Sequence, residues 1–195
     1  MKIETERLIL RKPKIDDVKF LYKIIDNDII KNLFMRYPLK EKYLKELIQK
    51  YIAEWEKKER YFMILELKKT KKIVGMAGLK ELDFNHGLAD VTSFIGKKYR
   101  KKGYITEAKI AINEFAFNKL KLRKLKSNVA TFNPLSNKMQ NKFGMKFEGI
   151  KRREYLNPYT KNCIDMNSYS LFKSEWVKVL PKLKKHLKAK IKNLK

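Results

Sequence analysis

What most limits the fold lies between residues 61 and 130, where the period of the apolar residues changes from two to about 3.6 and back. YFMILEL (61–67) and KIVGMAGL (72–79) alternate on either side of the polar turn KKTK, which predicts a hairpin. ADVTSFIG (89–96) follows the turn Asn85-His86-Gly87 and completes a meander. From near Gly103 to Leu120 the residues Ala108, Ile110, Ala111, Phe115 and Leu120 recur at helical spacing, and KLKSNVA (124–130) returns to strand character. Strand, helix and strand in this order predict a parallel crossover, so the sheet should be mixed.

Outside this stretch, RLILR (7–11) alternates as a strand, and the next segment places Ile15, Val18, Leu21, Tyr22 and Ile25 on one helical face. Beyond Tyr37-Pro38, residues 40–58 carry Tyr43, Leu44, Leu47, Ile48, Tyr51, Ile52 and Trp55, a stripe read as core. NPLSNKMQNKF (133–143) predicts a short helix with Asn133 as N-cap, Pro134 in the first turn and Gly144 ending it. MKFEGIKRREYL and NCIDMNSYSLF predict the last two strands, joined through Asn157-Pro158. From Ser174 the stripe Trp176, Leu180, Leu183, Leu187, Ile191 and Leu194 is helical, with Pro181 expected to kink the helix or delay it. Residues 1–175 read as one domain and 176–195 as a Lys-rich helical extension.

The 195 residues suit one domain, and 44% hydrophobic and 12% aromatic content excludes a disordered chain. A net charge of +27 would attract anionic partners, but Lys outnumbers Arg 40 to 8, and bidentate phosphate or base readout favours Arg. Most of the charge is therefore read as solvated surface, with nucleic-acid contact a secondary expectation. The single Cys163, the absence of zinc-type spacing and the lack of an apolar membrane span or leader predict a cytoplasmic protein with no metal and no membrane association. His86 and His186 are read as surface residues.

Residues 99–108 read YRKKGYITEA. Gly103 here either ends a loop or lets the backbone approach an anion at a helix N-terminus. The element order and the stretches TERLILR, YRKKGYITEA, NPLS, KFGMKFEG and REYLNPYTKNCIDMNSYSL resemble the GNAT superfamily of acetyl-CoA-dependent N-acetyltransferases, over residues 5 to 176. Within it, the subgroup that acetylates N-terminal amines of ribosomal proteins looks nearest. The resemblance implies an α+β (α/β) fold, a mixed, mostly antiparallel sheet of about six or seven strands flanked by helices.

It also implies roles for particular residues. Arg100, Lys101, Lys102, Gly103, Tyr104, Ile105 and Thr106 match the signature that wraps the pyrophosphate of the acetyl-CoA co-substrate, with Ile105 replacing the usual small residue and Lys101 a frequent glycine. Phe94 and Ile95, in the strand ending FIG, should line the thioester and supply an N–H for the oxyanion. Asn133 should contact the pantetheine arm, and Ser136 should lie beside the sulfur and protonate the leaving thiolate. Many relatives have a Tyr acid where this chain has Gln140. Glu154 matches the proposed base of the subgroup, against the alternative of a surface glutamate paired with Arg152 or Arg153, and Asp90, Glu81 and Asp83 stand in reserve.

Direct transfer to a neutral amine is the implied chemistry. At pH 7 freeing an α-amine of pKa near 8 costs about 1 kcal/mol, whereas a Lys ε-amine near 10.4 costs about 4 to 5. The expected acceptor is thus a protein N-terminus, such as that of a ribosomal protein. A small-molecule amine is the rival within the enzyme class, with polyamines disfavoured by the positive net charge. A non-catalytic module that binds CoA or RNA is the alternative outside it. The acceptor segments 27–40 and 156–162 carry no recognisable code, and monomer and homodimer both remain open.

Overall fold

In the computed structural model, residues 1–157 and 160–194 are described; part of the Asn157-Pro158 turn lies outside them. The chain runs β1 (Lys2–Glu4), β2 (Leu8–Arg11), α1 (Val18–Ile24), α2 (Asn27–Asn32), α3 (Glu41–Glu56), β3 (Tyr61–Leu67), β4 (Ile73–Asp83), β5 (Leu88–Ile95), α4 (Tyr104–Glu114), β6 (Lys124–Ala130), α5 (Pro134–Lys142), β7 (Lys146–Leu156), β8 (Cys163–Phe172) and α6 (Lys173–Lys192). One sheet of eight strands has the order β1-β2-β3-β4-β5-β6-β8-β7. It is larger than the six or seven strands expected. The addition is β1, three residues held by antiparallel pairing with β2, too short to carry a periodic signal.

Every neighbouring pair is antiparallel except β5 and β6, which run parallel over Leu88–Asp90 against Lys124–Lys126. Past Asp90 the ladder between them stops, although β5 continues to Ile95 and β6 to Ala130. The middle of the sheet is therefore a fork. Its arms are held from outside, β5 by β4 through Ile95 and β6 by β8 through Ala130.

One layer of core joins α4 and the turn that follows it to the sheet: Ala108, Ile112 and, just past α4, Ala116 pack with Leu65, Val74, Leu79 and Leu125. The other layer packs α1 and α3 on the opposite face, with Val18, Leu21, Leu44 and Ile48 against Phe62, Ile64 and Met76. Tyr22, expected on the packed face of α1, is exposed, and Ile24 is buried instead. Val18, Leu21 and Ile24, three residues apart, are the positions this short helix buries. The last helix starts at Lys173 without delay, and Pro181 lies inside it. Trp176 and Leu183 join the α4 layer, where Trp176 lies parallel to Phe143, so α6 packs on the body of the protein. Among the described residues no helix is long and apolar enough to cross a membrane.

Candidate active site

The turn that leads from β5 into α4 is built by long-range contacts. Gly103 is the N-cap of α4 with φ +82°, a left-handed conformation that favours glycine. A Cβ there would meet Arg7 Nη2 at 3.2 Å and the side chains of Leu187 and Lys190 at 3.3 and 3.5 Å. Arg7 donates from Nη1 to the Lys102 carbonyl, and its Nε and backbone N–H reach Glu107, each at 2.7 Å. The Thr5 hydroxyl also donates to Glu107, so two of the sequence stretches singled out above, TERLILR and ITEA, form one clamp. With the turn fixed this way, the first N–H groups of α4, at Tyr104, Ile105 and Thr106, have no helical acceptor. The helix dipole favours negative charge at the same point.

Arg100 does not present its guanidinium to this turn. It pairs with Asp26 at 3.0 Å and Asp28 at 3.1 Å, and its Nε reaches the Ile95 carbonyl at 3.3 Å, tying the end of β5 to α2. Lys101, at φ +63°, and Lys102 are exposed beside it. Lys142 and Lys190 were not read from the sequence as site residues. Burial and the charge of Lys190 hold the Lys142 ammonium below its ordinary pKa, so α5 and α6 bring two cations together close to Gly103.

Phe94 and Ile95 differ in what their backbones offer. Gly96 N–H donates to the Val74 carbonyl, and alternation along the antiparallel ladder then turns the Phe94 N–H toward β4 and the Ile95 N–H toward the open side of the fork. At the crotch, Asp90 and Asn128 reach across from the two arms, Asn128 Nδ2 donating to Asp90 Oδ2 at 3.4 Å. Burial pushes the Asp90 carboxyl up from its ordinary range, and its Oδ1 has no partner.

Helix α5 starts where β6 ends, at the mouth of the fork. Asn133 Oδ1 accepts the Ser136 N–H at 3.1 Å, the expected cap. Asn137 fastens the same turn: it donates to the Ala130 and Asn133 carbonyls and accepts from Tyr169 and Asn167. Sequence reasoning missed it because all these partners but Asn133 are remote along the chain or lie on another strand. Ser136 Oγ accepts from Gln140 Nε2 at 3.5 Å, and Gln140 Oε1 accepts from the buried Lys109 at 3.1 Å.

Glu154 lies apart from this cluster: it is exposed on β7 and pairs with Lys151 at 3.2 Å, not with Arg152 or Arg153. Its neighbour Tyr155 stacks on Phe34, with ring centroids 4.1 Å apart. Lys31 sits over Phe132 at the start of the loop into α5. These contacts tie segment 27–40 to β7 and to the loop that leads into α5. Asp83 binds His86 in the β4–β5 turn, where the His86 backbone N–H and imidazole lower its pKa, so it makes a poor base. A separate groove of about 580 Å³ lies against β1, α4 and α6, beside Glu107, Ala111 and Glu114, which occupy the face of α4 away from Thr106 and Lys109.

A family model described as an acetyltransferase (GNAT) domain matches residues 7–146. The chain belongs to the GNAT acetyltransferases. The uncharacterized N-acetyltransferase YoaA of Bacillus subtilis is 27% identical over 175 residues, covering 88% of this chain and 96% of the relative. The spermidine N(1)-acetyltransferase of Vibrio cholerae is 26% identical over 153 residues, covering 76% and 84%. A Vibrio cholerae structure provisionally named a ribosomal-protein-serine acetyltransferase superposes with a TM-score of 0.74 at 24% identity, over 88% of this chain and 97% of that one, and shares the fold. The protein is thus a GNAT N-acetyltransferase that uses acetyl-CoA, as the resemblance implied.

Proposed function

We propose that the fork between β5 and β6 holds acetyl-CoA, and that the protein acetylates the α-amine at the N-terminus of a polypeptide. One observation carries this reading: the only parallel pair in the sheet, among the described residues, parts after Asp90, and the β5 arm of the fork leads into the glycine-led start of α4. Two unpaired strand edges offer N–H and carbonyl groups to an extended chain containing amides, which is what a pantetheine arm is. The N–H groups of Gly103 to Thr106 would hold the diphosphate, with Lys101, Lys102, Lys142 and Lys190 adding positive charge. The buried, unpartnered Arg7 Nη2 beside Gly103 fits an anion there.

Bound in this way, the co-substrate supplies an acetyl group activated as a thioester. The Ile95 N–H stabilises the charge that develops on the carbonyl oxygen. Asp90 takes the proton of the attacking amine through water; its raised pKa and its place at the crotch favour it over the exposed Glu154. Ser136 gives its hydroxyl proton to the departing sulfur, and Asn133 caps the helix that carries it. Arg100 acts by fixing the turn, since its guanidinium is held by Asp26 and Asp28.

Phe34, Phe132 and Tyr155 surround the acceptor entrance with aromatic surface, and Lys31 stands among them. This suits a peptide terminus better than a polycation, which needs acidic groups. Spermidine is the second reading, favoured by the name of the Vibrio relative. Acetyl-CoA turnover with Ser- and Ala-starting peptides set against spermidine and aminoglycosides separates them. Turnover with the peptides supports the proposal, and turnover with spermidine alone overturns it.

A further inference from the structure

Lys109 is buried in the middle of α4, with 3% of its surface exposed. Burying an ammonium is costly, and burial pushes its pKa down to about 8. Two contacts face it, Gln140 Oε1 at 3.1 Å from α5 and the ring of Phe143, the residue that caps α5, at 5.0 Å. Among the described residues it has no ion-pair partner; Glu107 on its own helix is held by Arg7 and Thr5 on another face. A leucine or methionine would fill the position at less cost, so the charge calls for a reason.

The reason lies in hydrogen-bond polarity. An ammonium has donors only, so the Gln140 amide must turn its oxygen to Lys109. Its NH2 group then faces Ser136 Oγ one helical turn earlier, at 3.5 Å, the long end of a hydrogen bond. An oxygen that accepts from Gln140 keeps its own O–H free to donate elsewhere. With the amide reversed, the carbonyl would capture that proton instead.

We propose that Lys109 is a positioning residue for acetyl transfer: it fixes the Gln140 amide so that Ser136 presents its hydroxyl proton to the departing thiolate. The inference rests on the reading of Ser136 as proton donor. As the carbon–sulfur bond breaks, Ser136 gives its proton to the sulfur and recovers one from water, while the acceptor's proton leaves through Asp90.

The test measures CoA release from acetyl-CoA with water as acceptor, which needs the same leaving group whatever the natural amine, in Ser136→Ala, Lys109→Met, Gln140→Glu and the double variants with Ser136→Ala. Gln140→Glu is isosteric and gains a charge pair with Lys109, so it should fold at least as stably, yet it has no N–H to give and must accept the Ser136 proton. Ser136→Ala should lower kcat by about 100-fold. Lys109→Met and Gln140→Glu should each lower it by about tenfold, with the KM for acetyl-CoA within about twofold, and should cost nothing more in the Ser136→Ala background. Normal turnover in Gln140→Glu or Lys109→Met beside an impaired Ser136→Ala overturns this inference alone. So does a loss that persists in the double variants. Normal turnover in Ser136→Ala overturns the reading of Ser136 and this inference with it.

Discussion

Arg7 and Glu107, a hundred positions apart, are joined twice, through the Arg7 backbone N–H and through its Nε, each 2.7 Å from a different carboxylate oxygen. Glu107 is 3% exposed, and the other branch of Arg7 holds the Lys102 carbonyl, so this pair ties the residue that leads into β2 to the turn that opens α4. Replacing Arg7 by Met leaves the Glu107 carboxylate buried without its cation. The expected loss is about 3 kcal/mol of stability, with weaker CoA affinity because the turn loosens. Urea denaturation and titration calorimetry check the two effects.

Gly103 combines φ +82° with three side chains crowded where a Cβ would lie, those of Arg7, Leu187 and Lys190. Gly103→Ala should cost about 1 to 2 kcal/mol in backbone strain alone and push the α6 side chains away from the turn. A CoA affinity lowered at least tenfold is expected from calorimetry. Unchanged affinity would mean that the diphosphate does not sit at this turn.

Asp90 is penalised when ionised, because burial raises its pKa in the folded protein above the unfolded value. Between those two values the folded state holds more protons than the unfolded one, so wild-type stability falls as pH rises through that window. Asp90→Asn removes this loss. It should therefore be no less stable than wild type at pH 7, while kcat/KM for the acceptor falls by about 100-fold. An Asp90→Asn variant with normal turnover would return the role of base to Glu154.

Lys109 has the opposite sign. Its pKa of about 8 when folded lies below the ordinary 10.5, so the unfolded chain binds the extra proton between those values and stability rises with pH there. Relative to Lys109→Met, the wild type should gain about 3 kcal/mol from pH 8 to 10.5. Gln140 of α5 and Phe143 at its C-cap face it, and neither titrates. Denaturation curves at pH 7, 8.5 and 10 measure the difference, which removes the lysines common to both proteins.

Local pattern was enough for much of the fold. KLKSNVA is β6 to the residue, and the stripe of residues 40–58 became α3, whose Leu44, Ile48 and Trp55 are buried. Gly103 and Asn133 were legible because a left-handed turn and an N-cap each demand particular side chains at one position. Segments whose structure is decided by distant partners were not. The six-residue α2 lies in a stretch read only as an acceptor loop, and its capping Asp26 is anchored by Arg100 from 74 positions away. Lys109 looked like one more solvated lysine, because nothing local reveals that α5 covers it. The stripe of α6 was plain, but its contact with the turn at Gly103 depends on how the helix docks.

A crystal structure of the protein with CoA shows where the co-substrate lies. The pantetheine arm should run between β5 and β6 beyond Asp90, with diphosphate oxygens within hydrogen-bonding distance of the N–H groups of Gly103 to Thr106. A diphosphate bound elsewhere, or a fork left empty at saturating CoA, would contradict this placement.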